Sequence, residues 1–178
     1  MIYVMLADGF EEVETVTPID ILRRAGLDVT TVSIKNSTCV TGAHNIPIAA
    51  DTTISQMNPD DMELLMLPGG MGHELLDASN EVHALINYAL ANDIYISAIC
   101  AAPSILGKKM ILQGKKATCF PGFEKYLFGA ELLTDKVVTD GKIITARGAG
   151  AAAEFGFEMV SLLKDKETAL SLAKTMQY

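Results

Sequence analysis

Cys100 stands at the join of two unlike segments, and the chemistry this sequence can offer gathers around it. Before it, Ile94-Tyr95-Ile96-Ser97-Ala98-Ile99 is short, apolar and rich in β-branched residues, as a buried parallel strand should be. After it a helix opens, with Pro103 in a first turn where the amide it lacks would be unpaired anyway. A cysteine at such a turn faces the free amides and positive end of the helix, which favour thiolate over thiol. The same strand-turn-helix geometry exposes the nucleophile of α/β serine hydrolases. The plainer alternative is a small apolar residue packed at a strand end.

A second group of reactive side chains lies far upstream, in Glu11, Glu12 and Glu14. Positions three apart share a helix face, so Glu11 and Glu14 point together and Glu12 points elsewhere. Such acids commonly do no more than face solvent and complement the helix dipole. A carboxyl held against a cysteine sulfur, however, can keep its proton and donate a hydrogen bond to the thiolate. Gly69 and Gly70, in Pro68-Gly69-Gly70-Met71-Gly72, would let backbone amides approach an oxyanion or an oxidised sulfur, or would form an ordinary tight turn.

Histidine is scarce: a Cys-His hydrolase needs an imidazole in reach of sulfur, and only His44, His73 and His83 exist. His73, just past Gly72, is the one placed to approach the site; His83 is expected to be exposed and His44 to lie at a surface or interface. The Arg147-Gly148-Ala149-Gly150 loop suits an anion at a helix start, but it has no Walker or dinucleotide pattern, so no nucleotide site is expected.

These residues need a scaffold that brings distant loops together. Met1–Leu6 reads as a buried strand, Val13–Ala25 as a helix that Pro18 either kinks or leaves irregular in its first part and that Gly26 closes, and Val29–Ile34 as a second strand. Cys39–Ile54 is broken by Gly42, Asn45 and Pro47 into hairpin or edge pieces. Leu64–Leu67 is a further strand, Glu81–Ala91 a helix, and Ala117–Phe120 and Val137–Thr139 read as strands. Asp140-Gly141 predicts a tight hairpin into Lys142–Ala146, followed by a long helix through Leu163 and a final one over Glu167–Met176. Alternating strands and helices predict a single domain over residues 1–178, an α/β, flavodoxin-like three-layer αβα sandwich on a mostly parallel sheet. Sites in such sheets form beyond the carboxyl ends of the strands. That rule assembles four loops: Ala7–Glu14, Pro68–Gly72, Cys100–Pro103 and Arg147–Gly150.

Composition narrows the function. With 178 residues the chain builds one substantial core, and a net charge of −8 disfavours a nucleic-acid partner. Cys39, Cys100 and Cys119 have no metal-ligand spacing, so no metal and no cofactor are expected. Their odd number, with no signal peptide, suggests a reduced, cytoplasmic setting. No apolar run approaches the roughly 18 residues of a membrane span, so a soluble protein without a membrane partner is expected.

Taken together, Ala7–Thr15, Leu67-Pro68-Gly69-Gly70, Ala98–Pro103 and Thr145–Gly150 resemble the ThiJ/PfpI superfamily, in its branch of the parkinsonism-associated oxidative-stress protein and bacterial relatives. The resemblance spans nearly the whole chain with the motifs in order. It implies a class I glutamine amidotransferase-like fold, a homodimer, and Cys100 as the reactive, oxidation-prone cysteine. It implies Glu14 as the protonated glutamate beside the sulfur, with Gly69, Gly70 and Ala101 giving backbone amides around it. His73 and Arg147 are possible auxiliary residues, and Arg23, Arg24 and His44 match positions near the dimer interface. Ala101 stands where the protease branch has histidine, which argues against peptidase activity. Phe120 stands where human-like members have a histidine implicated in proton transfer.

Three functions follow as expectations. The first is a glyoxalase- or deglycase-like enzyme acting on a small aldehyde, a 2-oxoaldehyde, without cofactor. The second is a redox sensor or chaperone working through Cys100 oxidation, and the third an interaction module that keeps the fold without the chemistry. The older association of the ThiJ name with thiazole monophosphate biosynthesis is a label rather than a mechanism.

Overall fold

The computed structural model describes residues 1–178 and is built on a seven-stranded sheet. In chain order the elements are β1 (Ile2–Leu6), α1 (Glu12–Arg24), β2 (Val29–Ser33), β3 (Cys39–Thr41), β4 (Pro47–Ala49), β5 (Thr52–Thr53) and β6 (Leu64–Leu67). Then follow α2 (His73–Ala78), α3 (Asn80–Ala91), β7 (Tyr95–Ile99), α4 (Pro103–Lys108), β8 (Lys116–Ala117), β9 (Glu131–Leu132), β10 (Val137–Asp140), β11 (Ile143–Ala146), α5 (Ala152–Leu163) and α6 (Lys166–Thr175). The main sheet runs β10-β11-β7-β6-β1-β2-β5, and only β10 is antiparallel. Its centre, β2-β1-β6-β7-β11, has the doubly wound order of flavodoxin-like folds.

Both faces of this sheet are covered, which is why its strands read as unbroken apolar runs. Along β1 and just beyond it, Ile2, Val4 and Leu6 enter the core under α1 and α5, while Tyr3, Met5 and Ala7 enter the core under α3 and α4. Alternation with period two sends successive side chains to opposite faces, and here each face meets a helical layer. Each such fully buried Leu, Ile or Met contributes about 1.5–3 kcal/mol. Helices α1 and α5 pack closely because Gly156 has no side chain: a β-carbon there would stand 3.0 Å from Ile21 Cδ1.

Helix α1 carries the most consequential irregularity. Pro18 lies inside it and removes the amide that would have bonded the Glu14 carbonyl, yet the helix continues from Glu12 to Arg24. The irregular first part that Pro18 suggested is not found. Gly26 ends the helix at φ +70°, with Leu27 N–H returning 3.1 Å to the Leu22 carbonyl.

Two expectations are corrected. The strand expected over Ala117–Phe120 reduces to Lys116–Ala117, paired with β9 in a small separate sheet. Beyond it Thr118 N–H goes to Thr145 Oγ1 (3.0 Å) and Phe120 N–H to the Cys100 carbonyl (2.8 Å), so these amides join the site instead of a ladder. Helix α2 has no counterpart in the sequence reading, because it is six residues long and starts without a side-chain cap. The Cys39–Ile54 pieces do form a hairpin, β3-β4, and Asp140 pairs with Ile143 across a tight turn between β10 and β11.

Candidate active site

The four loops nominated from sequence meet at the carboxyl ends of β1, β6, β7 and β11. Backbone hydrogen bonds join them: Glu11 N–H to the Gly69 carbonyl (3.1 Å), Gly72 N–H to the Gly9 carbonyl (2.9 Å), and Cys100 N–H to the Ala146 carbonyl (2.8 Å). Phe10 and Gly70 form an antiparallel bridge between the first two loops. Gly70, at φ +77°, has no room for a side chain, since a β-carbon would lie 2.5 Å from the Glu11 amide nitrogen.

Cys100 occupies the left-handed region at φ +66°, a conformation that costs a non-glycine residue on the order of 1–3 kcal/mol. Its backbone is fixed on both sides, by its own N–H on Ala146 and by Phe120 N–H on its carbonyl. The turn lifts its half-buried side chain out of the strand, toward the Gly70 and Ala101 amides, which point at the sulfur.

Glu14 reaches the sulfur from the first turn of α1. It is 1% exposed, and its Oε2 is buried with no hydrogen-bond partner of normal geometry. The space for this carboxyl exists because residue 69 is glycine: a β-carbon there would stand 2.5 Å from Cys100 Cβ and closer still to Glu14 Oε2. Burial pushes Glu14 up to about 7, the nearby charge of Glu11 pushing the same way, while the Cys100 sulfur and the Gly69 and Ala149 amides pull it down. Burial and the Glu14 carboxylate together push Cys100 up to about 12. The expectation that the helix start simply lowers the cysteine is therefore corrected: α4 has only six residues, and burial outweighs its amides.

The two acids act as one unit, which loses a first proton near 7 and holds the second until about 12. Between those limits the pocket carries one negative charge. That charge is shared between the half-buried sulfur, with the Gly70 and Ala101 amides aimed at it, and the carboxyl, with the Gly69 and Ala149 amides acting on it.

Cys100, Glu14, Gly69, Gly70 and Ala101 are thus brought together. The two auxiliary residues stand further out. Buried His73 holds the Gly70 carbonyl through Nδ1 (2.8 Å) and packs edge-on against Phe123, so it braces the glycine turn. Arg147 donates from Nη1 to the Thr134 carbonyl (2.9 Å) and lines an adjoining cleft with Phe120 and Gly148. His83, expected to be exposed, is half-buried, with Nε2 2.7 Å from the Asp77 carbonyl.

Glu12 is the residue whose part the sequence reading missed. It is 8% exposed rather than solvated, and it accepts from the His44 amide (2.7 Å) and faces His44 Nδ1 (2.8 Å). These bonds hold it well below the usual carboxylate range against the opposing effect of burial, and they hold His44 up. Gly42 makes the room, because a β-carbon there would fall within the Glu12 carboxyl. Asp8 fastens the same hairpin, bonding Thr41 N–H (3.0 Å) and Lys35 Nζ (2.7 Å). A lone glycine in the broken Cys39–Ile54 stretch was the available signal. Glu11, Glu12 and His44 also lie close enough together to share a cation.

Comparison with known proteins places the fold in a family. The DJ-1/PfpI family model matches residues 1–162. Protein DJ-1 homolog B of Arabidopsis thaliana is 38% identical over 97% of the chain, which spans only 40% of that protein's length. A protein of Pyrococcus abyssi named as a deglycase is 28% identical over 92% of the chain and 99% of its own. The solved structure of oxidized Toxoplasma gondii DJ-1 superposes with a TM-score of 0.95 at 32% identity, covering 99% of this chain and 97% of that one.

Proposed function

Because the chain belongs to the DJ-1/PfpI family, we propose that it protects against carbonyl or oxidative stress through Cys100, acting as a cofactor-independent glyoxalase- or deglycase-like enzyme on 2-oxoaldehydes. The observation that carries this reading is the buried Glu14 carboxyl, with an unpartnered oxygen, set beside a cysteine held at φ +66°. The Cys100 thiolate adds to the aldehyde carbon, and the alkoxide takes the Glu14 proton, giving a hemithioacetal. The Glu14 carboxylate then removes the hydrogen from that carbon and returns it to the neighbouring carbonyl carbon, leaving a thioester of a 2-hydroxy acid. Water cleaves the thioester, releasing the acid and regenerating the thiol, so one 2-oxoaldehyde and one water give one 2-hydroxy acid. The Gly70 and Ala101 amides, aimed at the sulfur, hold the negative charge that the pair carries between steps.

A second reading rests on the same amides. They and Glu14 would also stabilise a sulfinate at Cys100, making the protein a redox sensor or chaperone. The oxidized state of the Toxoplasma relative supports keeping it. We place the protein in the cytoplasm, where three unpaired thiols suit a reducing setting. We also assign it a homodimer, whose interface would cover the exposed Val13, Val16 and Ile46.

The deciding experiment measures methylglyoxal consumption by the parent and by Cys100→Ser, with mass spectrometry of the parent after mild peroxide. Turnover that disappears in Cys100→Ser supports the enzyme. No turnover, with Cys100 taken selectively to sulfinate, would leave the redox reading. Peptide mapping after limiting iodoacetamide at pH 8 should find Cys100 modified ahead of buried Cys119 and exposed Cys39. Light scattering at micromolar concentration tests the dimer.

A further inference from the structure

Beside the Cys100-Glu14 pair opens a cleft of about 440 Å³ lined by Phe120, Pro121, Lys136, Arg147, Gly148 and Ala149. It touches the reacting pair at two points. Phe120 N–H is bonded to the Cys100 carbonyl, and Gly148 fits between the Phe120 ring and Glu14, with its β-position 3.2 Å from Phe120 Cδ2 and 3.8 Å from Glu14 Oε1. The wall is apolar at Phe120, Pro121 and Ala149, and both charged residues lining the cleft are cations.

Those cations differ. Lys136 is paired with Glu154 at the rim. Arg147 has no carboxylate partner, whereas Arg23 is bonded to Asp51 (2.9 Å) and Arg24 to Asp20 (2.7 Å). One Arg147 N–H is used on the Thr134 carbonyl, and the rest of the five-donor fork has no protein acceptor. In a chain of net charge −8, an arginine without an acid, in a concave apolar wall next to the nucleophile, is a local reversal of the surrounding field. Burial pushes Cys119 up to about 12 while the Arg147 guanidinium pulls the other way, so the charge of Arg147 is felt next to Phe120.

We propose that this cleft is a carboxylate subsite, and that Arg147 is a specificity-determining residue selecting carbonyl substrates with a carboxylate carried on a short apolar linker. The assignment of turnover to Cys100 is taken from the reading above; the subsite itself rests on the cleft. A planar guanidinium matches a carboxylate through two parallel N–H bonds, and the apolar wall accepts the linker.

The test uses a matched pair, phenylglyoxal and 4-carboxyphenylglyoxal, which differ only in the carboxylate. The parent should prefer the anionic member in kcat/KM, and Arg147→Gln should cut that preference about tenfold, mainly through KM, with Arg147→Lys in between. Lys174→Gln removes a remote positive charge and should leave the preference as it is, separating a contact from a change in net charge. A second arm does not need turnover: benzoate should slow alkylation of Cys100 by iodoacetamide more than benzamide does, and Arg147→Gln should erase that difference. Protection by benzoate without turnover of either aldehyde would uphold the subsite and refute the enzymatic reading. Turnover with an unchanged preference in Arg147→Gln, or equal protection by benzoate and benzamide in the parent, would overturn the subsite.

Discussion

Gly69 and Glu14 share one space: a β-carbon on Gly69 would stand inside contact distance of Glu14 Oε2 and 2.5 Å from Cys100 Cβ. The carboxyl occupies the volume that any other residue at position 69 would fill. Gly69→Ala should therefore displace Glu14 or the Cys100 elbow and destabilise the fold by about 1–3 kcal/mol, the usual cost of overpacking. Urea unfolding measures the loss, and the rate of Cys100 alkylation should change with it. An unchanged midpoint and an unchanged rate would show that the pocket yields freely.

Glu14→Leu should raise the pH at which Cys100 forms its thiolate. In the proposed mechanism a neutral carboxyl donates to the charged sulfur, and loss of a charge-assisted bond costs on the order of 1.5–3 kcal/mol, or about one to two pH units. Glu14→Gln should shift it less, because an amide still donates, and should abolish proton shuttling. Thiolate absorbance followed from pH 5 to 11 is the readout. A fall in the Glu14→Leu value would mean that the charge sits on the carboxyl.

Removing the charge of Glu11 should act in the opposite direction. Its carboxylate holds Glu14 up, so Glu11→Gln should bring the first ionisation of the pair below its present value of about 7. Titration of the same absorbance decides it. No movement would separate Glu11 from the pair.

Stability should fall as pH rises from about 4.5 to about 7. Glu14 titrates at 4.5 when exposed and at about 7 in the fold, so over that interval the unfolded chain has lost a proton that the native chain still holds. The contribution is fully present below 4.5 and lost above 7, and it amounts to about 3 kcal/mol. Glu14→Gln should remove this slope and be more stable than the parent at pH 8. Denaturant unfolding at pH 4.5, 6 and 8 would contradict the account if both proteins kept the same slope.

Phe120→His should raise the rate of methylglyoxal turnover. Phe120 is 47% exposed, lines the cleft beside the Cys100-Glu14 pair and is bonded through its amide to the Cys100 carbonyl, so an imidazole there would add a second acid-base group to that cleft. A positioned acid-base group typically contributes about 10²–10⁴-fold, and a gain of about tenfold is the conservative expectation. A lower kcat with the fold intact would show that the aromatic wall matters more than a second proton carrier.

The sequence by itself determined the scaffold and the place of the chemistry. Apolar runs such as Met1–Leu6 and Leu64–Leu67 carry the strand signal, and in a doubly wound sheet the carboxyl ends of such strands bring residues 14, 69, 100 and 147 to one edge whatever their separation in the chain. Cys100 was legible because strand and helix signals meet on it without a gap. What only the tertiary structure decided was solvation. Glu11, Glu12 and Glu14 are the same residue type within four positions. One precedes the first turn of α1 with no capping bond from its side chain, one is buried against the His44 hairpin, and one is buried beside sulfur. The opposite shifts of Glu12 and Glu14 come largely from groups distant in sequence, the His44 segment for one and the Cys100, Gly69 and Ala149 loops for the other. Helix periodicity assigns a residue to a face but carries no information about what that face will meet. Desolvation, which controls the Glu14-Cys100 pair, is set entirely by that meeting.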